Sequence, residues 1–136
     1  MQLTRQDSTA ASNRIRMGTM GTIVVIDDDV AMRTLICEWL AAEGYRVRGL
    51  AAPDGGDADL VIVNLLNLRA QGPQAMHEVR ASYPRSALIG MSTQLARSLE
   101  GDSSLARALG VSRLVAKPFA RDELLAAVAA TAGVPN

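Results

Sequence analysis

The hydrophobic and polar positions of this chain fall into short continuous apolar runs that alternate with longer helical stripes. The run Ile23-Val24-Val25-Ile26 is β-branched throughout and ends abruptly in Asp27, Asp28 and Asp29. Such a run, bounded by a turn signal, reads as a strand buried on both faces, as in parallel sheets. Over 30–43, Met32, Leu35, Ile36, Trp39 and Leu40 recur at helical spacing, with Asp29 sited as N-cap and Gly44 as the stop. Residues 45–50 read as a second strand and LVIVN, 60–64, as a third. A helix is expected over 73–82, with Pro73 in its first turn and Met76, Val79 and Tyr83 on one side. A strand at 87–91 follows and runs into Ser92-Thr93. Then come a short helix at 103–109, a brief strand at 114–116, and a last helix, 121–132, that turns Leu124, Leu125 and Val128 inward.

The alternation breaks at one point. Only AAPDGGDAD separates the second strand from the third, fewer residues than the dozen or so a parallel crossover normally takes. Pro53 and Gly55-Gly56 oppose a helix there. The pattern is therefore βα-β-βα-βα-βα: an α/β fold with a doubly wound, five-stranded parallel sheet whose second helix is shortened or absent. With so short a crossover, the sheet face near Leu50, Val61 and Val63 is expected to need another cover, because large apolar patches rarely stay exposed. A shifted third helix, the leader or another protein would serve, and another protein is the preferred expectation.

Composition narrows the class. The 136 residues suit one domain with a normal core. Fourteen basic residues balance 14 acidic ones, so charge gives no case for nucleic acid or an anionic membrane as partner. The single cysteine, Cys37, excludes an internal disulfide and suits a reducing compartment. No apolar run approaches the roughly 20 residues of a membrane span, and the N-terminus lacks the apolar core of a signal peptide, so a cytoplasmic location is expected. Residues 1–21 are polar and mildly basic and read as a disordered leader, 22–133 as the domain and 134–136 as a tail. Cys37 and Trp39 read as packing residues, and His77 as a solvated helix position.

The polar strand ends, Asp27 with Asp28, Asn64, Ser92 and Lys117, all fall on one edge, where open α/β sheets bind ligands. Adjacent carboxylates there raise each other's proton affinity or hold a hard cation such as Mg²⁺. Alternatively, Asp29 caps the helix while Asp27 and Asp28 are simply solvated. Lys117 is the only lysine, the other 13 basic residues being arginine. A compact ammonium on a flexible stem differs from a planar guanidinium, which points to a requirement of the site.

Together VVIDDDVAMR, DLVIVN, ALIGMS and LGVSRLVAKPF resemble the receiver domain of bacterial two-component response regulators, over about residues 21–133. The resemblance implies a flavodoxin-like receiver fold. It implies Mg²⁺-binding carboxylates at Asp27 and Asp28, a phosphoryl-binding hydroxyl at Ser92, and a phosphate-pairing lysine at Lys117 followed by a cis bond to Pro118. It also implies a phosphoacceptor aspartate where this chain has Asn64. A carboxamide is not the nucleophile that an acyl phosphate needs, and loss of the charge leaves only weak Mg²⁺ binding at Asp27 and Asp28. Leu114 occupies the aromatic switch position and Leu68 that of a usual proline, while Ser112-Arg113 replaces acidic residues.

These departures lead to the expectation of a pseudo-receiver, standing alone because no output domain follows residue 133. It would be non-enzymatic, with no cofactor beyond weak Mg²⁺, and the remaining pocket could equally be a structural leftover. It would act in signal transduction by phosphorylation-independent contact with a histidine kinase, a phosphotransferase, another regulator or a second copy of itself. The contact would use helices around the fourth and fifth strands. One alternative is a switch driven by a small ligand in the gap left by the short crossover. A second is a flavodoxin-like cofactor-binding protein, against which stands the lack of a glycine-rich phosphate loop after the first strand.

Overall fold

A computed structural model describes residues 21–68 and 70–132. Nearly all of the leader and the whole tail expected from the sequence lie outside the described residues. The elements run β1 (Thr22–Ile26), α1 (Val30–Ala42), β2 (Arg46–Leu50), β3 (Leu60–Asn64), α2 (Gly72–Ser82), β4 (Ala87–Ser92), β5 (Leu99–Glu100), α3 (Ser104–Leu109), β6 (Arg113–Ala116) and α4 (Arg121–Ala132). The sheet order is β2-β1-β3-β4-β6-β5. Every pairing is parallel except the last, in which β5 runs antiparallel to β6 with Leu99 opposite Leu114.

The expected five-stranded parallel sheet is thus present, with one correction: a sixth, two-residue strand closes the β6 edge. A pair of residues is too short to show a period, so its pairing is decided by what lies beside it. The short crossover carries no helix, as expected.

Alternate residues of each strand divide the core into two layers. Ile23, Val25, Leu60, Ile62, Ile89, Met91 and Val115 meet α1 through Ile36 and Leu40 and α4 through Leu124, Ala127 and Val128. Val24, Ile26, Val61, Val63, Leu88 and Leu114 meet α2 through Met76, Val79 and Tyr83, and α3 through Ala106 and Leu109. Leu35, read from its spacing as an inward residue, is 39% exposed. α1 rests on the β1–β2 side of the sheet and buries a narrower stripe than its pattern allows. Asp29 caps α1 by accepting from Met32 N, and Ser103 caps α3 by accepting from Ala106 N. Gly110 ends α3 at φ 73°, a left-handed conformation that suits glycine. Arg80 of α2 donates to the Leu109 carbonyl there, tying the two helices together.

The face beside the missing helix is not open, which corrects the expectation that another protein covers it. Val61 and Val63 are buried, at 0% and 4% exposure, and Leu50 is half-buried against the same layer. Their cover comes from the chain itself. The Tyr83 ring lies in the same apolar layer, and its hydroxyl donates to Asp54 Oδ1 at 2.7 Å while accepting from Asp54 N at 3.0 Å. Arg48 Nη1 meets Asp54 Oδ2 at 2.6 Å, and Gly56 N donates to Asp54 Oδ1 at 2.9 Å. Ser86 Oγ holds the far end of the crossover through the Ala58 carbonyl, at 2.6 Å. The Arg48 guanidinium, followed by the Gly56 amide and the Tyr83 hydroxyl, holds the Asp54 carboxyl well below the usual carboxylate range. A polar strap, pinned at Asp54, takes the place of a helix.

Candidate functional site

The site forms where β1 and β3, adjacent in the sheet, end together, and where the chain leaving β6 reaches back across β4. β1 delivers Asp27, 1% exposed, and β3 delivers Asn64, partly exposed. Lys117 directly follows β6; its amide donates to the Ser92 carbonyl at 2.9 Å, and its bond to Pro118 is cis. The side chain crosses the strand ends. Nζ donates to Asn64 Oδ1 at 3.0 Å and pairs with Asp27 Oδ2 at 3.3 Å. The other Asp27 oxygen accepts from Asp29 N at 2.9 Å, and Arg33 Nη1 donates to the Asp27 carbonyl at 2.8 Å. Close packing behind the site depends on Gly90 of β4. A Cβ there would stand 2.9 Å from Leu65 Cδ1 and 3.0 Å from Leu114 Cδ2.

The residues expected at the site come together unequally. Asp27, Asn64 and Lys117 form one hydrogen-bonded group. Asp28 is exposed and outside that group. Ser92 is fully buried, and its hydroxyl accepts from Gln94 N at 2.9 Å. Leu114, expected at a switch position, is a core residue packed beneath Gly90. Two residues escaped the sequence reading. Arg33 lies in the first turns of the helix after the acidic triplet, and a base so placed is a usable signal. Gln94 meets the site through its amide on Ser92, and its side chain reaches Leu68 N, 26 residues away in sequence, a contact for which the local pattern offers no sign.

The charge arithmetic of the group is simple. One buried carboxylate faces one ammonium, and the third member is a neutral amide. A carboxylate at position 64 would leave an excess negative charge that a cation would offset. With Asn64 the group balances by itself. Among the described residues no three His, Cys, Asp or Glu side chains gather as a metal site.

A parallel 2-1-3-4 sheet, completed by the strand before Lys117-Pro118 and carrying these polar residues on its carboxyl edge, is the flavodoxin-like receiver fold. Solved structures of that class agree. The chemotaxis protein CheY4 of Vibrio cholerae matches with a TM-score of 0.63 at 21% identity, over 83% of this chain and 99% of that one. The response regulator TrrA of Thermotoga maritima, in complex with Mg²⁺-BeF, matches at 0.59 and 27% identity, over 80% and 96%. In sequence, the regulatory protein VirG of Agrobacterium fabrum is 33% identical over 122 residues, which are 85% of this chain and 47% of that protein. No protein-family model matches the chain. The chain is a relative of the bacterial response regulators and carries their receiver domain. It spans about half the length of the curated relatives it matches.

Among the described residues no helix is long and apolar enough to cross a membrane.

Proposed function

We propose that this receiver domain works without receiving a phosphoryl group, as a contact module in signal transduction. The observation that carries this reading is the self-balanced group of Asp27, Lys117 and Asn64. The residue at the acceptor position offers a carboxamide, which cannot form an acyl phosphate. Its carbonyl oxygen already accepts from the lysine at 3.0 Å. The function left to such a domain is to present a surface to a histidine kinase, a phosphotransferase, another regulator or a second copy. Two exposed apolar residues next to the site in the chain, Val30 and Leu66, support contact there. A groove of about 450 Å³ between the β5–β6 edge and α4 offers a second contact, at the helices expected from the sequence; Leu99, Arg113, Glu123, Ala126 and Ala130 line it.

The test is intact mass after incubation with acetyl phosphate. No acid-labile phosphate is expected at residue 64, and one mapped to Asn64 in a protein whose untreated mass excludes deamidation would overturn the reading.

Mg²⁺ has little to hold in this arrangement. Both Asp27 oxygens and the Asn64 carbonyl are hydrogen-bonded already, and only Asp28 presents a free carboxylate. Titration followed by Trp39 fluorescence or amide shifts should show no binding below the millimolar range, whereas Asn64→Asp should bind at least about tenfold tighter, since hard cations favour charged oxygen donors. Equal affinities for the two proteins would contradict this account.

A further inference from the structure

Two loops flank the site, and the Gln94 side chain joins them. The loop after β3 passes through Leu68, whose side chain is buried in the layer beneath α2 and α3. The loop after β4 begins with Thr93 and Gln94. Gln94 folds back so that its Oε1 accepts from Leu68 N at 2.6 Å, while its own amide donates to the buried Ser92 hydroxyl at 2.9 Å. One residue thus holds the neighbouring loop with its side chain and the end of β4 with its backbone. Beneath this bridge, Leu65 N donates to the Met91 carbonyl at 2.8 Å, so the two loops leave the sheet already aligned.

We infer that Gln94 is a latch that fixes the two loops around Asn64 and Ser92 in one arrangement, and that a contact made with its exposed side chain frees them. The inference deepens the reading of the site as one that receives no phosphoryl group, and rests on it. In a site with no covalent trigger, a change of shape must come from breaking bonds already present. The core below leaves little room for other movement, because Leu65 and Leu114 close on Gly90 and Lys117 Nζ is bonded to both Asp27 and Asn64. Gln94 differs from these. It is exposed, so a partner that offers its amide a competing donor or acceptor can open the bridge without disturbing the core.

Amide hydrogen exchange on the full 136-residue chain, resolved by NMR, tests the latch directly. In Gln94→Ala the Leu68 amide and the amides of 93–98 should exchange roughly three- to tenfold faster, the range set by losing one hydrogen bond. Amides of α1 and of the strap should hold their rates. Gln94→Glu keeps an acceptor at the same reach and should restore slow exchange at Leu68. An unchanged Leu68 amide in Gln94→Ala, acceleration spread evenly through the core, or a Gln94→Glu protein as fast as Gln94→Ala would each overturn the latch. The outcome is separable from the phosphorylation test. A labile phosphate on Asn64 would remove the proposed function whatever the exchange pattern, and a failed latch would leave the phosphate result standing.

Discussion

Lys117→Met should destabilise the domain by about 3–5 kcal/mol, because it leaves a buried carboxylate without its cation. The Asp27 side chain is fully shielded from solvent and that of Lys117 nearly so, at 0% and 11% exposure, so little screening softens the loss. Against a total stability of roughly 5–15 kcal/mol for a domain of this kind, the effect approaches unfolding. Removing the charge as well should restore most of it. In Asp27→Asn with Lys117→Met, an amide stands beside an apolar stem and no ion remains to be desolvated. Urea denaturation of the two single variants and the double variant closes the cycle. A Lys117→Met protein within about 1 kcal/mol of the parent would mean that water solvates the pair, against the burial described.

Tyr83→Ala carries the second large effect. The ring is 3% exposed, and truncating a buried aromatic costs about 3–5 kcal/mol. More is at stake than a cavity, since the hydroxyl both donates to and accepts from Asp54, and the 51–59 strap is pinned through that residue. The variant should bind a dye for exposed apolar surface, and the amides of 51–59 should lose protection ahead of α1 and α4. Tyr83→Phe should keep the ring packed, with a smaller loss confined to the strap. If Tyr83→Ala unfolded at the same urea concentration as the parent, the face would be covered by something other than the Tyr83 ring.

The sequence could be read as far as its periods and its strand ends carried. Four of the five parallel strands, β1, β3, β4 and β6, pass from apolar to polar where they leave the sheet, so Asp27, Asn64, Ser92 and Lys117 could be placed on one edge from the sequence. The same logic found the missing helix, since proline and paired glycines have local meanings. What replaced that helix was not legible. The spacing puts Tyr83 on one side with Met76 and Val79, but its partner Asp54 lies 29 residues earlier, in a segment that reads as plain loop. Strand β5 was invisible for a related reason: Leu99-Glu100 has no pattern of its own and becomes a strand only because β6 lies beside it. Within the acidic triplet the cap at Asp29 follows from its place before the helix, but the spacing could not separate Asp27 from Asp28. Asp27 is buried and paired, Asp28 is solvated, and Asp29 caps α1.

The antiparallel pairing of β5 on β6 bears on how copies of this domain can associate. A chain of molecules joined sheet to sheet needs two usable edges on every member, one to accept the preceding copy and one to offer the next. Here one end of the sheet is finished by a strand of two residues, which leaves the five-residue β2 as the only long open edge among the described strands. Two copies that met edge to edge at β2, about a twofold axis, would use both open edges at once, and a third would find none. Growth by way of the sheet therefore ends at a pair.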